Sequence, residues 1–432
     1  MMIVFGLMLF VVMLMAGGLA VDLMRHEAER TRVQNTADRA SLAAAALRQE
    51  LDPESVVRDY FEREGLSGNL TDVSVDGGLN YRNVEVETEA SVSTLFMRLL
   101  GIDTLTATGA SGAEERVPKV EVSLVLDISG SMRFTDASGA PQIDLLRPAA
   151  QEFIDTMLAG ERRDLFSISI VPYAGSVNPG PQVFSALGVT QTHAASHCME
   201  LTATHFNSSA FPRSGTRTQV PHFMMWDIAT SYMDWGWCPN DTTAAVQYWS
   251  SDATALKNYI QNMRLHDGTG TQIGMWWGLG LLDPANRWLM SELIATSVVD
   301  AKFADRPAPY TDPETLKVIV LMTDGYITEQ FRPSDPSHPL NATRELTRRP
   351  SGDRTTLSSR NWNRDRFYQV CNRAKANGVV VYTIAFNTSG SAVTEMRNCA
   401  SAPELFFDVQ SFEINTAFRT IANSIRDLRL TQ

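Results

Sequence analysis

Residues 120–132 read VEVSLVLDISGSM, and this stretch decides how the rest of the chain is interpreted. Its first half is rich in Val and Leu, as is typical of a strand that is covered on both faces of a sheet. At the end of the strand the chain presents the oxygens of Asp127, Ser129 and Ser131, and Gly130 allows a tight turn between the two serines. Oxygen ligands on one short loop are those that a hard divalent cation, Mg²⁺ above all, prefers. The stretch therefore predicts a buried strand that ends at a cation site, although for these residues alone an ordinary polar turn is the alternative.

Two further segments carry oxygen ligands at comparable positions. The apolar run 316–322 (LKVIVLM) ends in Thr323-Asp324-Gly325, which again places a carboxylate at the carboxyl end of a strand. Between the two strands lies the loop Asp267-Gly-Thr-Gly-Thr271, which precedes a predicted helix over residues 273–282. In an open α/β sheet such loops meet in a crevice outside the strand ends. We therefore expect the three segments to contribute to one site.

Together the three segments resemble the metal-ion-dependent adhesion site, or MIDAS, of von Willebrand factor A domains. In that family the metal is held by Asp-x-Ser-x-Ser, by a Thr in a Gly-Gly-Thr-x-Thr-like loop, and by an Asp that ends a later strand. The resemblance implies a Mg²⁺ site, or a Mn²⁺ site, whose ligands are Asp127, Ser129, Ser131, Thr269 and Asp324. It also implies a protein partner that supplies an acidic side chain to the metal. The sequence departs from the family pattern at Asp267, where Gly is usual.

The rest of the C-terminal part has the alternating pattern of such a domain. Helices are predicted over residues 143–158 and 411–428, and strands over 165–171, 379–386 and 405–409. Strands that alternate with helices predict an α/β fold with a doubly wound parallel sheet, as the resemblance also implies.

The insert at about residues 173–264 separates the second strand of this domain from the Thr269 loop. It is rich in aromatic side chains, namely Phe206, Phe211, Phe223, Trp226, Tyr232, Trp235, Trp237, Tyr248 and Trp249. These residues predict either a small satellite core or a recognition surface beside the metal. The sequence does not decide between the two.

The N-terminal residues 1–21 carry no charged side chain and are long enough to cross a bilayer as one helix. The alternative is a signal peptide cleaved near Gly18-Leu19-Ala20, but no basic residue precedes the apolar run. The helix is predicted to continue over residues 22–50. A stripe of small and apolar side chains there is suited to close packing, on this chain or on a partner: Val33, Ala37, Ala40, Ala44 and Leu47.

The N-terminal segment is also similar to a known family. Gly18-Leu-Ala-Val-Asp22, followed by residues 32–45 (RVQNTADRASLAAA), resembles the start of TadG-like proteins of Tad/Flp pilus assembly, in which a pilin-like helix runs from the membrane into the periplasm. Residues 421–431 (IANSIRDLRLT) resemble the tail of TadG-like chains that carry an A domain. An unrelated single-span anchor with a polar helical stalk is the alternative. The predicted domains are a transmembrane and stalk helix over 1–50, a small α+β module over 51–118, and the A domain over 119–432.

Two signals conflict over the orientation of the span. The basic residues nearest to it all follow it, which under the positive-inside rule places the C-terminus in the cytoplasm. The cysteines favour the other side, and large folded domains translocate largely regardless of flanking charge. We expect a single-pass protein of the bacterial inner membrane with its C-terminal domain in the periplasm.

The four cysteines permit three pairings. Their spacing favours disulfides Cys198–Cys238 and Cys371–Cys399, each closing a local loop, which indicates an oxidising compartment. Buried free thiols are the alternative for the second pair. A zinc site is the alternative within the insert, with ligands from His193, His197, Cys198, His205, His222 and Cys238, although zinc ligands usually show tighter paired spacing.

Composition and missing motifs narrow the function. A net charge of −12 over 432 residues argues against a nucleic-acid surface. The sequence lacks both glycine-rich phosphate-binding motifs and a Gly-x-Ser-x-Gly nucleophile elbow, so neither a nucleotide nor an enzymatic activity is expected. The sequence predicts a membrane-anchored, extracytoplasmic, metal-dependent protein-binding or adhesion factor of Tad/Flp pilus assembly. The alternatives are a structural pilin-like subunit in which the metal only stabilises the fold, and a metal-dependent hydrolase.

Overall fold

The structure is a computed structural model that describes residues 2–47, 49, 51–78, 80–136, 139–160, 163–226 and 231–431. The chain divides into two compact units, Met1–Val117 and Pro118–Gln432. The predicted boundary at residue 50, within the first unit, stays a prediction.

The first unit consists of two helices and a three-stranded antiparallel sheet with strand order β1-β2-β3. Its elements are α1 (Met2–Ala45), α2 (Pro53–Arg63), β1 (Leu70–Gly77), β2 (Tyr81–Ser93) and β3 (Thr104–Arg116). Helix α1 is long and apolar enough to cross a membrane, and it is the one such helix among the described residues. It ends at Ala45, before the predicted end at residue 50, and Glu50 itself lies outside the described residues.

The stripe of small residues on α1 packs within its own unit. Val33, Ala37, Ala40 and Ala44 are buried together with Phe61 of α2 and with apolar side chains of β2. Small side chains let the helix lie close to the sheet, so the apolar faces of both are removed from water. Of the two alternatives for this stripe, packing on the chain itself is the one observed.

The second unit is an α/β domain. Its helices are α3 (Gln142–Met157), α4 (Gly180–Ala186), α5 (Ala253–Asn262), α6 (Thr271–Gly280), α7 (Arg287–Ala295), α8 (Arg360–Ala376), α9 (Ser391–Cys399) and α10 (Glu413–Thr431). Its strands are β4 (Lys119–Asp127), β5 (Phe166–Tyr173), β6 (Val189–Thr190), β7 (Arg217–Thr218), β8 (Gln247–Ser250), β9 (Thr315–Thr323), β10 (Gln330–Pro333), β11 (Arg354–Ser358), β12 (Val380–Phe386) and β13 (Phe406–Val409).

The main sheet has the strand order β13-β12-β9-β4-β5-β8. Its first five strands are parallel, and β8, which comes from the insert, pairs antiparallel with β5 at the edge. Every residue of β4 except Lys119 is buried, because helices cover both faces of the sheet. On one face Phe153 of α3 meets Phe418 of α10 edge to face. The predicted doubly wound parallel fold is confirmed.

Helix α6 lies very close to the centre of the sheet on the other face. A Cβ atom on Gly278 would come within 2.6 Å of the Val125 side chain, and one on Gly274 within 2.6 Å of the Tyr173 ring. Only glycine permits this approach at both positions. The close packing holds the start of α6, and with it the loop that precedes α6, against the ends of β4 and β5.

The aromatic residues of the insert divide between two cores. Phe223, Trp226 and Trp237 form a satellite cluster with the disulfide Cys198–Cys238, whereas Phe206, Phe211, Tyr248 and Trp249 join the main core. Tyr232 and Trp235 are partly exposed. A second disulfide, Cys371–Cys399, joins α8 to α9.

Candidate metal centre

The two carboxylates of the predicted site end neighbouring strands. Strands β4 and β9 run parallel and pair with Leu126 opposite Met322. Asp127 and Asp324 follow these paired residues, so both carboxylates reach the same edge of the sheet. Both side chains are buried.

Asp127 is held by three neighbours. One carboxylate oxygen accepts a hydrogen bond of 2.8 Å from the backbone N–H of Ser129. The other accepts one of 2.6 Å from the hydroxyl of Thr323 and lies 3.3 Å from the hydroxyl of Tyr173. These contacts fix the orientation of the carboxylate at the strand end.

A chain of hydroxyls connects the first loop to Asp324. The hydroxyls of Ser129 and Ser131 lie 3.0 Å apart, and the Ser131 hydroxyl donates a 2.7 Å hydrogen bond to Oδ1 of Asp324. The two serine hydroxyls therefore contact each other and a carboxylate. His266 pairs with Ser129 through the backbone, and among the described residues no histidine ring is hydrogen-bonded to either serine hydroxyl. Asp127, Ser129, Ser131 and Asp324 are thus brought into one cluster.

The loop with Thr269 lies beside this cluster. The backbone N–H of His266 donates to the carbonyl oxygen of Ile128 over 2.9 Å, and Gly270 donates to Ala174 over 2.6 Å. The backbone of Thr269 is bound to Thr328 through both its N–H and its carbonyl group. Within the described part of the chain, no hydrogen bond joins the Thr269 hydroxyl to the other four predicted ligands.

The negative charge of the site is only partly compensated, because the Arg133 guanidinium lowers the pKa of Asp324 by less than burial and Asp127 raise it. Burial raises the pKa of Asp127. Burial, and after it the negative charge of Asp127, raise the pKa of Asp324 well above its ordinary value. Oδ2 of Asp324 is buried, and none of the described residues forms a hydrogen bond with it. A divalent cation would reduce the repulsion between Asp127 and Asp324 and would bind the Oδ2 atom of Asp324. Because all the donors are oxygen atoms, these residues fit Mg²⁺ or Mn²⁺.

Sequence reasoning missed two residues that hold Asp127 in place. The Tyr173 hydroxyl also lies 3.1 Å from the carbonyl oxygen of Met322, and Thr323 is the residue next to the predicted ligand Asp324. Both are polar residues at the carboxyl ends of buried strands, the same signal that identified Asp127 and Asp324. Position at a strand end does not by itself show that these two side chains meet Asp127.

Asp267, the departure from the family pattern, connects the loop to the insert. Its Oδ2 atom accepts hydrogen bonds from the backbone N–H groups of Met225 and Trp226, at 2.5 and 3.0 Å. The side chain is buried, and burial raises its pKa to about 7. A glycine at this position would leave the two N–H groups of the insert without this acceptor. We therefore interpret Asp267 as the residue that attaches the insert to the Thr269 loop.

The geometry of the insert does not form the alternative zinc site. Cys198 and Cys238 are joined in a disulfide and are not available as thiolates. The ring of His193 contacts the carbonyl oxygen of Val220 at 2.8 Å, and that of His197 contacts Asp241 at 2.8 Å. Among the described residues, no group of three or more His, Cys, Asp or Glu side chains is arranged to hold a metal ion. The candidate centre at Asp127 and Asp324 differs from such groups because most of its donors are hydroxyls.

Comparison with known proteins supports the N-terminal assignment. Residues 1–47 match the family model described as putative Flp pilus-assembly TadE/G-like. No curated protein matches the chain by sequence. The predicted resemblance to TadG-like pilus-assembly proteins is confirmed by this match at the N-terminus.

Several solved structures are similar in fold. One is the von Willebrand factor domain of the type V pili tip protein Mfa5 from Porphyromonas gingivalis, with 15% identity, a TM-score of 0.38 and coverage of 72% of this chain and 96% of that one. Another is the adhesive tip pilin GBS104 from Group B Streptococcus agalactiae, with 12% identity, a TM-score of 0.38 and coverage of 71% and 99%. A third is proximal thread matrix protein 1 from the mussel byssus with a zinc-occupied MIDAS motif, with 13% identity, a TM-score of 0.32 and coverage of 71% and 47%. Likenesses of this size concern the fold alone.

Proposed function

We propose that this protein is a membrane-anchored, extracytoplasmic factor of Tad/Flp pilus assembly or adhesion that binds a protein partner through a divalent cation. The ligands are Asp127, Ser129, Ser131, Thr269 and Asp324. The observation that carries the proposal is the buried Oδ2 atom of Asp324, which no described residue binds through a hydrogen bond and which lies in a cluster with a second buried carboxylate.

The residues of the site have separate roles. Asp127 and Asp324 supply negative charge, whereas Ser129, Ser131 and Thr269 supply neutral oxygens. When bound, Mg²⁺ or Mn²⁺ supplies an electrophilic centre with exchangeable water. An acidic side chain of a partner can then take the place of a water at the cation. Thr323 and Tyr173 orient Asp127 and keep its carboxylate directed to one position. Binding of this kind requires no turnover.

Three features support the proposed location of the protein. Helix α1 is suited to span a membrane, the N-terminal segment is TadE/G-like, and both pairs of cysteines form disulfides. Disulfides persist in oxidising compartments. We therefore place the C-terminal unit in the periplasm and α1 in the inner membrane, against the orientation that the arginine count favours.

The competing function is that of a structural, pilin-like subunit in which the cation only stabilises the fold. The TadE/G-like segment favours it, because this segment by itself accounts for a role in pilus assembly. The two functions differ in what a ligand variant loses. A binding factor loses its partner and keeps its fold, whereas a structural subunit loses its fold.

The test is calorimetric titration of Mg²⁺ and Mn²⁺ into the full chain in detergent. The wild type is expected to bind, and Asp127→Ala and Asp324→Ala are expected not to bind. Asp365→Ala, which removes an exposed carboxylate of α8, is the matched control and is expected to bind as the wild type does. Unchanged affinity in both ligand variants would rule the site out. If Thr269→Ala alone has no effect, Thr271 is the hydroxyl to test next.

Crosslinking in the native membrane, with and without a chelator, tests the partner. A crosslinked product that disappears with the chelator and with Asp127→Ala, while circular dichroism of the variant is unchanged, supports the binding factor. Loss of the folded signal in Asp127→Ala supports the structural subunit. A product that is insensitive to both treatments contradicts metal-dependent binding.

A further inference from the structure

The connection between β2 and β3 exposes a continuous apolar surface. Residues 95–102 (LFMRLLGI), here called the apolar tip, form a short helical turn at the end of this hairpin. The side chains of Leu95, Leu99 and Leu100 are 61%, 77% and 54% exposed. Large apolar side chains grouped in this way on a surface mark a site of interaction with another molecule or a membrane.

The apolar tip rests on the apolar part of α1. The ring of Phe96 lies against Gly18, where a Cβ atom would come within 2.4 Å of the ring, so only glycine fits. Phe96, Leu99 and Leu100 also line an apolar cavity with residues of the helix, namely Val11, Leu14, Met15 and Leu19. The tip therefore runs alongside the helix over this stretch.

Asp22 fixes the tip to the helix. Its carboxylate accepts hydrogen bonds from the backbone N–H groups of Leu95, Phe96 and Met97, at 2.8 to 2.9 Å. These are N–H groups at the start of the short helical turn, which would otherwise lack partners. Satisfied backbone groups are required of any segment that leaves water for a bilayer. Asp22 meets this requirement for three N–H groups of the apolar tip.

The depth of the tip follows from the length of the span. At 1.5 Å per residue, residues 2–21 of α1 extend over about 30 Å, which is the thickness of the hydrocarbon core of a bilayer. The backbone of the tip is bound to Asp22, and its apolar side chains contact α1 between residues 11 and 19. If α1 spans the membrane, these positions lie in hydrocarbon, and the side chains of Leu99 and Leu100 beside them lie there too.

We propose that the apolar tip is a second membrane contact, inserted among the lipid acyl chains of the leaflet from which α1 emerges. The proposal rests on the membrane anchor of the proposed function. Arg98 is exposed, and its Nε atom lies 3.3 Å from the exposed carboxylate of Asp103. This pair can remain at the level of the headgroups while the stem of Arg98 stays in the apolar layer. Two contacts in place of one limit the tilt and rotation of the whole first unit, whose sheet is packed on α1, relative to the bilayer. The sheet of this unit is then held in one orientation to the bilayer surface.

The test uses single labelled cysteines in the full chain. All four native cysteines are in disulfides, so an introduced cysteine is the only free thiol. Leu99→Cys is labelled with the environment-sensitive dye NBD, and the chain is reconstituted into vesicles of phosphatidylethanolamine and phosphatidylglycerol. Val75→Cys is the matched control, because it is an exposed apolar position of the same sheet. Val75 pairs with Val84 of β2. Val84 is nine residues from Ser93, where β2 ends next to the tip. At 3.3 Å per residue, Val75 is therefore about 30 Å from the tip.

Flotation with the vesicles is measured first, then the NBD emission, and then its quenching by lipids brominated on the acyl chain. We expect the chain to float, and the label at residue 99 to emit at shorter wavelength and to be quenched, with neither effect at residue 75. If the chain floats but the label at residue 99 emits as it does in water, the proposed tip contact is refuted and the membrane anchor is supported. A shifted emission without lipid quenching shows that protein, and not lipid, covers the tip, which also overturns the proposal. A chain that does not float refutes the anchor, and the tip contact with it.

Discussion

The hydroxyl of Ser131 donates a hydrogen bond to the carboxylate of Asp324 over 2.7 Å, although 193 residues separate the two in the chain. The contact joins the loop after β4 to the end of β9. It is possible because the two strands are parallel neighbours, so both loops emerge at the same edge of the sheet. The candidate centre thus depends on strand order, and its properties can be tested through the stability of the second unit.

The charge of Asp324 is expected to destabilise the metal-free protein. Asp324→Asn keeps an oxygen to accept from Ser131 and removes the repulsion with Asp127, so the metal-free variant should be more stable than the wild type by about 1 kcal/mol or more. Mg²⁺ at a hundred times its Kd should stabilise the wild type by about 2.7 kcal/mol and the variant not at all.

Urea unfolding followed by tryptophan fluorescence measures both effects. All eight tryptophans lie in the second unit, so the signal reports on this unit alone. Asp365→Asn serves as the control and should respond to Mg²⁺ as the wild type does. An Asp324→Asn protein that Mg²⁺ still stabilises would contradict the assignment of this ligand.

Asp267 is expected to hold the insert to the Thr269 loop. Asp267→Ala removes the acceptor of the Met225 and Trp226 N–H groups and leaves them buried, which should lower the free energy of unfolding by about 1–3 kcal/mol. Hydrogen exchange at these two amides should become faster. Asp267→Asn retains an acceptor oxygen and should exchange more slowly than the alanine variant. Equal exchange in the wild type and in Asp267→Ala would show that the contact does not hold the insert.

The disulfide between Cys371 and Cys399 closes a loop across 28 residues. The loss of loop-closure entropy in the unfolded chain predicts that the double variant Cys371→Ala, Cys399→Ala loses about 3–4 kcal/mol of unfolding free energy. Peptide mapping of protein from its native compartment, prepared without reductant, should recover the two cysteines in one linked peptide. Alkylation of both cysteines there would remove the main chemical argument for the periplasm.

The orientation of the chain is expected to place the C-terminus outside the cytoplasm. A phosphatase that is active only in the periplasm should be active when fused after Gln432, and a fluorescent protein that folds only in the cytoplasm should be dark there. The same two reporters fused before Met1 should give the opposite result. Activity of the cytoplasmic reporter at the C-terminus would show that the arginines after the span determine the orientation.

Much of the fold could be predicted from local sequence. Strands β4, β9 and β12 are mostly apolar, so their composition predicted buried strands. The predicted ends of the helices were less accurate. The helix predicted over residues 273–282 is Thr271–Gly280, because its glycines pack on the sheet and give no amphipathic pattern to mark its limits.

The insert shows where prediction from sequence ends. Its described residues contain few regular elements, and its aromatic side chains divide between a satellite cluster and the main core. Trp237 and Trp249 have the same residue type, yet one joins each core. No local pattern distinguishes them, since the choice depends on which distant segment each ring meets.

The sequence by itself determined the apolar span, the buried strands and the acidic and hydroxyl residues that end them, because these are properties of a few neighbouring residues. The tertiary structure decided which of those residues meet. It placed Tyr173 and Thr323 on Asp127, Asp267 on the insert, and the apolar tip against Gly18 and Asp22. Such contacts join segments far apart in the chain, and they form only where strand order and close packing bring the two surfaces together.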